Sequence, residues 1–228
     1  RLASELCQEL EFSFSETSVV DIVTQYEKLL GGIIGRELTW ANDDIARQNI
    51  QARARSPLVW LLANVRNALL LVTSNRSELA VGYCTMDGDT SGSVSPLAGV
   101  SKHFLRCWSA WAAEGGLLGN EIKSLKAICN LGPSAELRPG GKQRDEEELM
   151  PYNVLSELEM GFLRDRSLAE EFQGMGIAGE YINVFLSKFC RSQWKRDRSA
   201  PGFHVSSGGI DSRDAARFPI FSNLPEIS

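Results

Sequence analysis

The sequence predicts an α/β domain, a parallel sheet with helices on its faces, followed by a helical C-terminal part. Three observations carry that expectation. Ala68–Val72 is a short, continuous apolar run, as required of a strand buried on both faces of a parallel sheet. It ends in Thr73-Ser74-Asn75, at the strand end where open α/β sheets place ligand-binding residues. Helical stripes flank it, Val19, Ile22, Val23, Tyr26 and Leu30 before and Ile182, Phe185, Leu186 and Phe189 after.

The other elements follow in chain order. Arg1–Leu10 opens in helical pattern, with Leu2, Leu6 and Leu10 on one face and neither a Met nor a cap before it, so further sequence is expected upstream. Glu11–Ser15 alternates Phe12 and Phe14 with polar neighbours and reads as a short strand. Ser18 caps the next helix, and Gly31 and Gly32 are expected to end it. Asn42-Asp43-Asp44 starts another helix with its acids on the favourable end of the dipole. That helix should run past Arg53 to a bend near Pro57.

Gly82–Gly92, rich in Gly, Asp, Thr and Ser, reads as a loop or lid. Ser101 caps a helix bearing Phe104, Leu105, Trp108 and Trp111, whose tryptophans read as core or as a subunit contact. Gly132–Glu148 reads as a loop whose charge run, Lys142–Glu148, is expected to be solvated. Pro151 starts the helix of Leu155, Leu158 and Phe162. The last clear helix ends at a basic cluster, Lys195, Arg196 and Arg198, and residues 200–228 read as an extended tail.

Composition narrows the function classes. At 228 residues there is room for one domain with a real core. A net charge of −5 argues against a nucleic-acid groove built on bulk charge. The longest apolar runs, such as Pro57–Ala63, are too short to cross a bilayer, and no secretory signal pattern opens the chain. Five scattered cysteines form neither a disulfide framework nor a zinc pattern, which fits the cytoplasm. With only His103 and His204, a histidine-centred mechanism has little material.

Several stretches, read in order, resemble one family. They are Gln48–Arg53, Thr73–Tyr83, Met86–Asp89, Ser95–Gly99, Pro133–Pro139, Met150–Tyr152, Trp194–Arg196 and Ala200–Phe203. Together, over roughly Leu2 to Ile220, they resemble the synthetase (ammonia-ligase) domain of glutamine-dependent NAD⁺ synthetase. The resemblance implies a Rossmann-like fold of the adenine nucleotide alpha-hydrolase kind, with the chain 1–228 its C-terminal portion. It implies ATP-dependent amidation of deamido-NAD⁺ through an adenylate. Cofactors would be ATP and Mg²⁺, and the partners a glutaminase domain in the parent chain and a second copy in a homodimer or larger assembly. Neither nucleic acid nor membrane is implied.

Residue by residue, Thr73, Lys102 and Ser134 resemble the ATP-contacting positions, and Glu78 and Asp89 the Mg²⁺ ligands. A hard oxygen donor is what Mg²⁺ prefers. Asn49, Arg53, Tyr83, Cys84, Thr85, Met86 and Lys195 resemble the deamido-NAD⁺ contacts. Met86 stands where ammonia-dependent relatives carry lysine and Cys84 where phenylalanine is common, so both fit the glutamine-dependent branch. Without the resemblance Glu78 reads as a helix-start acid, Thr73 as a plain cap, Asn49 with Arg53 as a surface pair, and Lys195 as a solvated charge.

The family's phosphate loop, Ser-Gly-Gly-x-Asp-Ser between a strand and a helix, is expected upstream of Arg1. Ser207-Gly208-Gly209-Ile210-Asp211-Ser212 spells the same motif, but Pro219 follows too soon for a helix, and coincidence is expected. No residue here is assigned a covalent catalytic role, and the chain alone is expected not to make NAD⁺. A rival reading stays open: a non-catalytic synthetase-like module that binds a dinucleotide or serves assembly.

Overall fold

The computed structural model describes residues 1–134, 137–140, 145–167, 169–203, 205 and 210. The motif at 207–212, apart from Ile210, and the tail from 211 onward lie outside the described residues, as do Ala135, Glu136 and His204. Eleven α-helices are described: α1 (Leu2–Glu9), α2 (Val20–Ile34), α3 (Trp40–Val65), α4 (Arg76–Val81), α5 (Lys102–Trp111), α6 (Lys123–Cys129), α7 (Asp145–Glu148), α8 (Tyr152–Met160), α9 (Ala169–Gly174), α10 (Gly179–Arg191) and α11 (Gln193–Asp197). π-helical turns extend α5 over Ala112–Gly116 and α8 over Gly161–Asp165.

The apolar stripes of α4, α8 and α10 meet in the core. Leu79, Ala80, Leu155, Leu158, Phe172, Ile182, Phe185 and Phe189 are buried there. Phe162 stands edge-on to both Phe185 and Phe189, with ring centroids 5.7 and 5.0 Å away. Burying each such ring contributes about 1.5–3 kcal/mol.

The predicted sheet is reduced to a narrow strip. Segments at 70–72, 93–95 and 201–202 run parallel, paired at Leu71 with Val94 and at Ser95 with Gly202. Val72 N–H donates to Val94 (2.9 Å) and Ser95 N–H to Pro201 (2.7 Å). Pro96, which has no N–H, ends the ladder. The expectation for Ala68–Val72 is corrected: only one face is buried. Val72 is 4% exposed, whereas Leu69 and Leu71 are 65% and 52% exposed, since no described element covers their side.

Local chemistry moved several other boundaries. Glu11–Ser15 forms no strand, and Phe12 and Phe14 are exposed, because the alternation has no neighbour to pair with among the described residues. Helix α2 runs through Gly31 and Gly32 and stops at Gly35, whose φ of 70° is left-handed. Gly35→Ala should cost about 1 kcal/mol in urea unfolding, because a Cβ disfavours that conformation. Unchanged stability would show that this turn is not what ends the helix.

Helix α3 starts at Thr39, not at Asn42. The Thr39 hydroxyl accepts the Asn42 N–H (3.3 Å) while the Asp43 carboxylate accepts the Thr39 N–H (2.9 Å). Arg36, bidentate on Asp43 at 2.7 Å, holds that carboxyl well below the usual range. The non-helical residue inside α3 is Asp43 (φ −127°), and the helix continues past Pro57. Ser101 caps α5 as its position predicts, accepting the Phe104 N–H (3.2 Å), whereas the N-cap of α2 is Val19 and Ser18 before it accepts only the Val20 N–H (3.2 Å). Trp108 and Trp111 are on the surface, 6.5 Å apart, and not in the core.

Candidate functional site

The site is built around α4, and Asn75 and Glu78 set its start. The Asn75 side chain accepts the Glu78 N–H (3.1 Å) while the Glu78 carboxylate accepts the Asn75 N–H (3.1 Å), a reciprocal capping box. The other Glu78 oxygen accepts from the Lys102 ammonium at 2.8 Å. Ser77 Oγ accepts the Lys102 N–H (3.0 Å), joining the starts of α4 and α5. Lys102 also lies 5.9 Å from the centre of the Tyr152 ring.

Beside this junction lies a cleft of about 860 Å³ between α5, α6 and the start of α8. Thr73, Lys102 and Ser134 all line it, together with Asn75 and Tyr152. Three positions named from separate motifs therefore converge. The cleft offers an ammonium, two hydroxyls and a helix start, groups that suit phosphate oxygens.

A second cleft, of about 400 Å³, opens on the other end of α4. Asn49, Tyr83, Cys84, Thr85 and Asp89 line it with Arg138 and Glu148. The Thr85 hydroxyl donates to Asn49 Oδ1 (2.9 Å), and the Thr85 N–H donates to the Asp89 carboxylate (2.6 Å). At the rim, Arg138 bridges Asp44 and Glu148 at 2.7 Å each, and the Tyr83 hydroxyl donates to Glu148 (2.9 Å). The loop 82–92 is packed down here. Ser56 donates to Asp87 O (2.6 Å), and a Cβ on Gly88 would press on Ala52.

The remaining predicted residues stand around the clefts. Met86 is buried, and its carbonyl accepts from the exposed Arg53 (3.0 Å). Lys195 is bonded to the second cleft's wall, donating to Gly82 O (2.7 Å) and Cys84 O (2.8 Å). Asp89 faces the second cleft while Glu78 pairs toward the first, and among the described residues no three His, Cys, Asp or Glu side chains converge as a metal cage. Lys195 is not a solvated charge, and neither is Asp145 of the predicted charge run: it is buried and accepts from the Tyr152 hydroxyl (3.1 Å).

Burial pushes the Cys84 thiol up to about 12, against the opposing pull of Lys195. It is therefore a neutral thiol at physiological pH and no nucleophile. Alkylation at pH 8 should modify exposed Cys107 in minutes and leave Cys84 intact until the chain unfolds, as peptide mass mapping would read. Equal rates would contradict this burial. None of Asn75, Arg138, Glu148 and Tyr152 was assigned a ligand from the sequence, although Asn75 ends the segment where ligand-binding residues are expected and Arg138 and Tyr152 lie in stretches that carry the resemblance. A further signal was available for Asn75 in its capping-box spacing to Glu78, and Glu148 carried none beyond its charge run.

With the geometry in view, comparison with known proteins gives the class. A sequence model of the family described as NAD synthase matches residues 1–199. The chain belongs to the NAD synthase family. It is 31% identical over 223 residues to a glutamine-dependent NAD(+) synthetase of Xylella fastidiosa, covering 96% of this chain and 38% of that protein. A Synechocystis protein of the same name is 33% identical over 169 residues, 74% of this chain and 29% of that protein. The chain thus spans at most 38% of these relatives' length.

The crystal structure of a glutamine-dependent NAD(+) synthetase from Cytophaga hutchinsonii superposes with a TM-score of 0.80 at 36% identity, covering 97% of this chain and 36% of that one. NMN synthetase from Francisella tularensis shares the fold at a TM-score of 0.64 and 23% identity, over 86% of this chain and 68% of that one. No described helix is long and apolar enough to cross a membrane.

Proposed function

We propose that this chain is the synthetase portion of a glutamine-dependent NAD⁺ synthetase, using ATP to activate the carboxylate of deamido-NAD⁺ for amidation. One observation carries the proposal: the segment 73–89 walls both clefts, with Thr73 and Asn75 in the larger and Tyr83, Cys84, Thr85 and Asp89 in the smaller. Two reacting molecules held on one rigid segment gain the proximity that acyl activation needs. The larger cleft takes ATP. The Lys102 ammonium and the Thr73 and Ser134 hydroxyls hold its phosphates. The smaller cleft takes the dinucleotide against Asn49 and the 83–85 wall.

Glu78 fits a Mg²⁺ ligand. It is a hard, partly exposed carboxylate with one oxygen fixed by Asn75 and the other shared with Lys102. The ion would supply charge neutralisation on the phosphates. Lys102 would then be free to turn from Glu78 to a phosphate oxygen. Asp89 would join from the adjoining cleft. The parallel pairing at Leu71 and Ser95 supports a Rossmann-like sheet, and five unpaired cysteines support the cytoplasm. Exposed Leu29 and Ile33 on α2, with Trp108 and Trp111 on α5, support assembly of more than one copy.

Calorimetric titration tests this reading. Mg-ATP should bind wild type, and Lys102→Ala should raise its Kd about tenfold, the loss of one charge-assisted hydrogen bond. Deamido-NAD⁺ should bind independently and be weakened by Asn49→Ala. Absence of both bindings in the folded chain would sink the proposal.

A further inference from the structure

We propose that Arg138 binds an anionic group of the dinucleotide at the rim of the smaller cleft, and that the Glu148 carboxylate competes with the ligand for it. The proposal rests on reading that cleft as the dinucleotide site. Such a ligand brings a pyrophosphate and a carboxylate, yet the described lining is acidic: Asp89 and Glu148 stand against one cation, Arg138. Lys195 adds charge from α11, bonded to the Gly82 and Cys84 carbonyls of the wall. Arg138 brings a second charge, at the rim.

The sequence of α3 prepares this side chain. Asp44, Gln48 and Gln51 recur at helical spacing and so share a face. Gln51 donates to Leu137 O (2.9 Å), which pins the backbone next to Arg138. Asp44 takes the Nε and Nη2 edge of the guanidinium (3.0 and 2.7 Å) and itself accepts from Gln48 (2.8 Å). That bidentate pair fixes the plane of the fork before any ligand arrives.

The remaining nitrogen, Nη1, holds Glu148 Oε1 (2.7 Å), and the other Glu148 oxygen accepts from the Tyr83 hydroxyl (2.9 Å). A carboxylate thus lies between a guanidinium and a phenol, both of which line the cleft. A carboxylate or phosphate of a ligand competes for the same two donors. The contact is easily exchanged. The Arg138 and Glu148 side chains are 40% and 33% exposed, and a single-bonded pair so exposed adds little stability. Asp44, gripping through two nitrogens, stays and keeps Arg138 oriented.

Calorimetric titration of deamido-NAD⁺ into the folded chain tests the competition by a double-mutant cycle. Glu148→Gln keeps the shape and removes the charge, and should tighten binding about fivefold. Arg138→Gln should weaken it about tenfold, the loss of one charge-assisted hydrogen bond. In the Arg138→Gln background, Glu148→Gln should change affinity less than about twofold, because nothing is left to compete for. NAD⁺, with the same pyrophosphate but an amide in place of the carboxylate, identifies the group. Equal tightening of both ligands marks the pyrophosphate, and tightening of deamido-NAD⁺ alone marks the carboxylate; either upholds the proposal.

A Glu148→Gln chain that binds no tighter than wild type would overturn it. So would tightening that persists without Arg138, which is general repulsion and not competition. Inorganic pyrophosphate, followed at the Arg138 Nε–H resonance, tests the anion site without a dinucleotide. Tighter pyrophosphate binding in Glu148→Gln, in a chain that takes up no deamido-NAD⁺, would uphold the anion site and refute the proposed function instead.

Discussion

Glu159→Ala is expected to destabilise the chain by about 3–5 kcal/mol, the cost of breaking a buried ion pair from one side. Glu159 and Arg76 meet at 2.8 Å with side chains 0% and 5% exposed. Arg76 cannot shed its proton, so removal of the carboxylate leaves a full charge inside the core. Arg76 is also the first residue of α4, next to Asn75 and two before Glu78. The damage therefore falls on the segment that carries both clefts. Urea unfolding with an unchanged slope would measure it. The double variant Arg76→Met, Glu159→Leu should recover most of the loss, since an apolar pair of similar volume often replaces a buried ion pair at little cost. A loss below about 1 kcal/mol in Glu159→Ala would mean that water reaches the pair.

Phe189→Ala should cost a similar amount, about 3–5 kcal/mol, through the cavity left by a fully buried ring. Phe189 touches Phe162 and Phe185 and also floors the Arg196 guanidinium, which donates to Ala80 O of α4 (3.0 Å). Its loss should therefore appear twice, as a lower unfolding midpoint and as weaker binding at the smaller cleft. Phe185→Ala, buried in the same cluster without that cation, should share the first effect and spare the second. Equal weakening by both would show that the cleft responds to core stability at large.

What could be read from the sequence was local. The cap at Ser101, the start at Pro151 and the stripes of α8 and α10 rest on spacing within a few residues, and they stand as expected. The gathering of Thr73, Lys102 and Ser134 came from resemblance; nothing in their own neighbourhoods predicts that one cleft holds them. The failures were long-range. Gly31 and Gly32 look like a stop, but only the backbone at Gly35 is left-handed.

Phe12 and Phe14 alternate like a strand and find no partner strand among the described residues. The start of α6 lacks a capping side chain of its own. Glu9, more than a hundred residues earlier, supplies it by accepting the Lys123 and Ser124 N–H groups at 2.9 and 3.0 Å. Charge runs misled for the same reason. Asp145, Lys195 and Arg196 look solvated until the Tyr152 hydroxyl and the ends of α4 and α10 are brought to them.

The central claim is that one segment, 73–89, serves two ligands through two clefts. Amide chemical-shift mapping in solution tests it most directly, with Mg-ATP and deamido-NAD⁺ added separately to the labelled chain. The account predicts two sets of perturbed amides, one around Thr73, Lys102 and Ser134 and the other around Asn49 and Tyr83–Thr85, meeting along 73–89. Perturbation of one shared set by both ligands, or of residues away from both clefts, would contradict it.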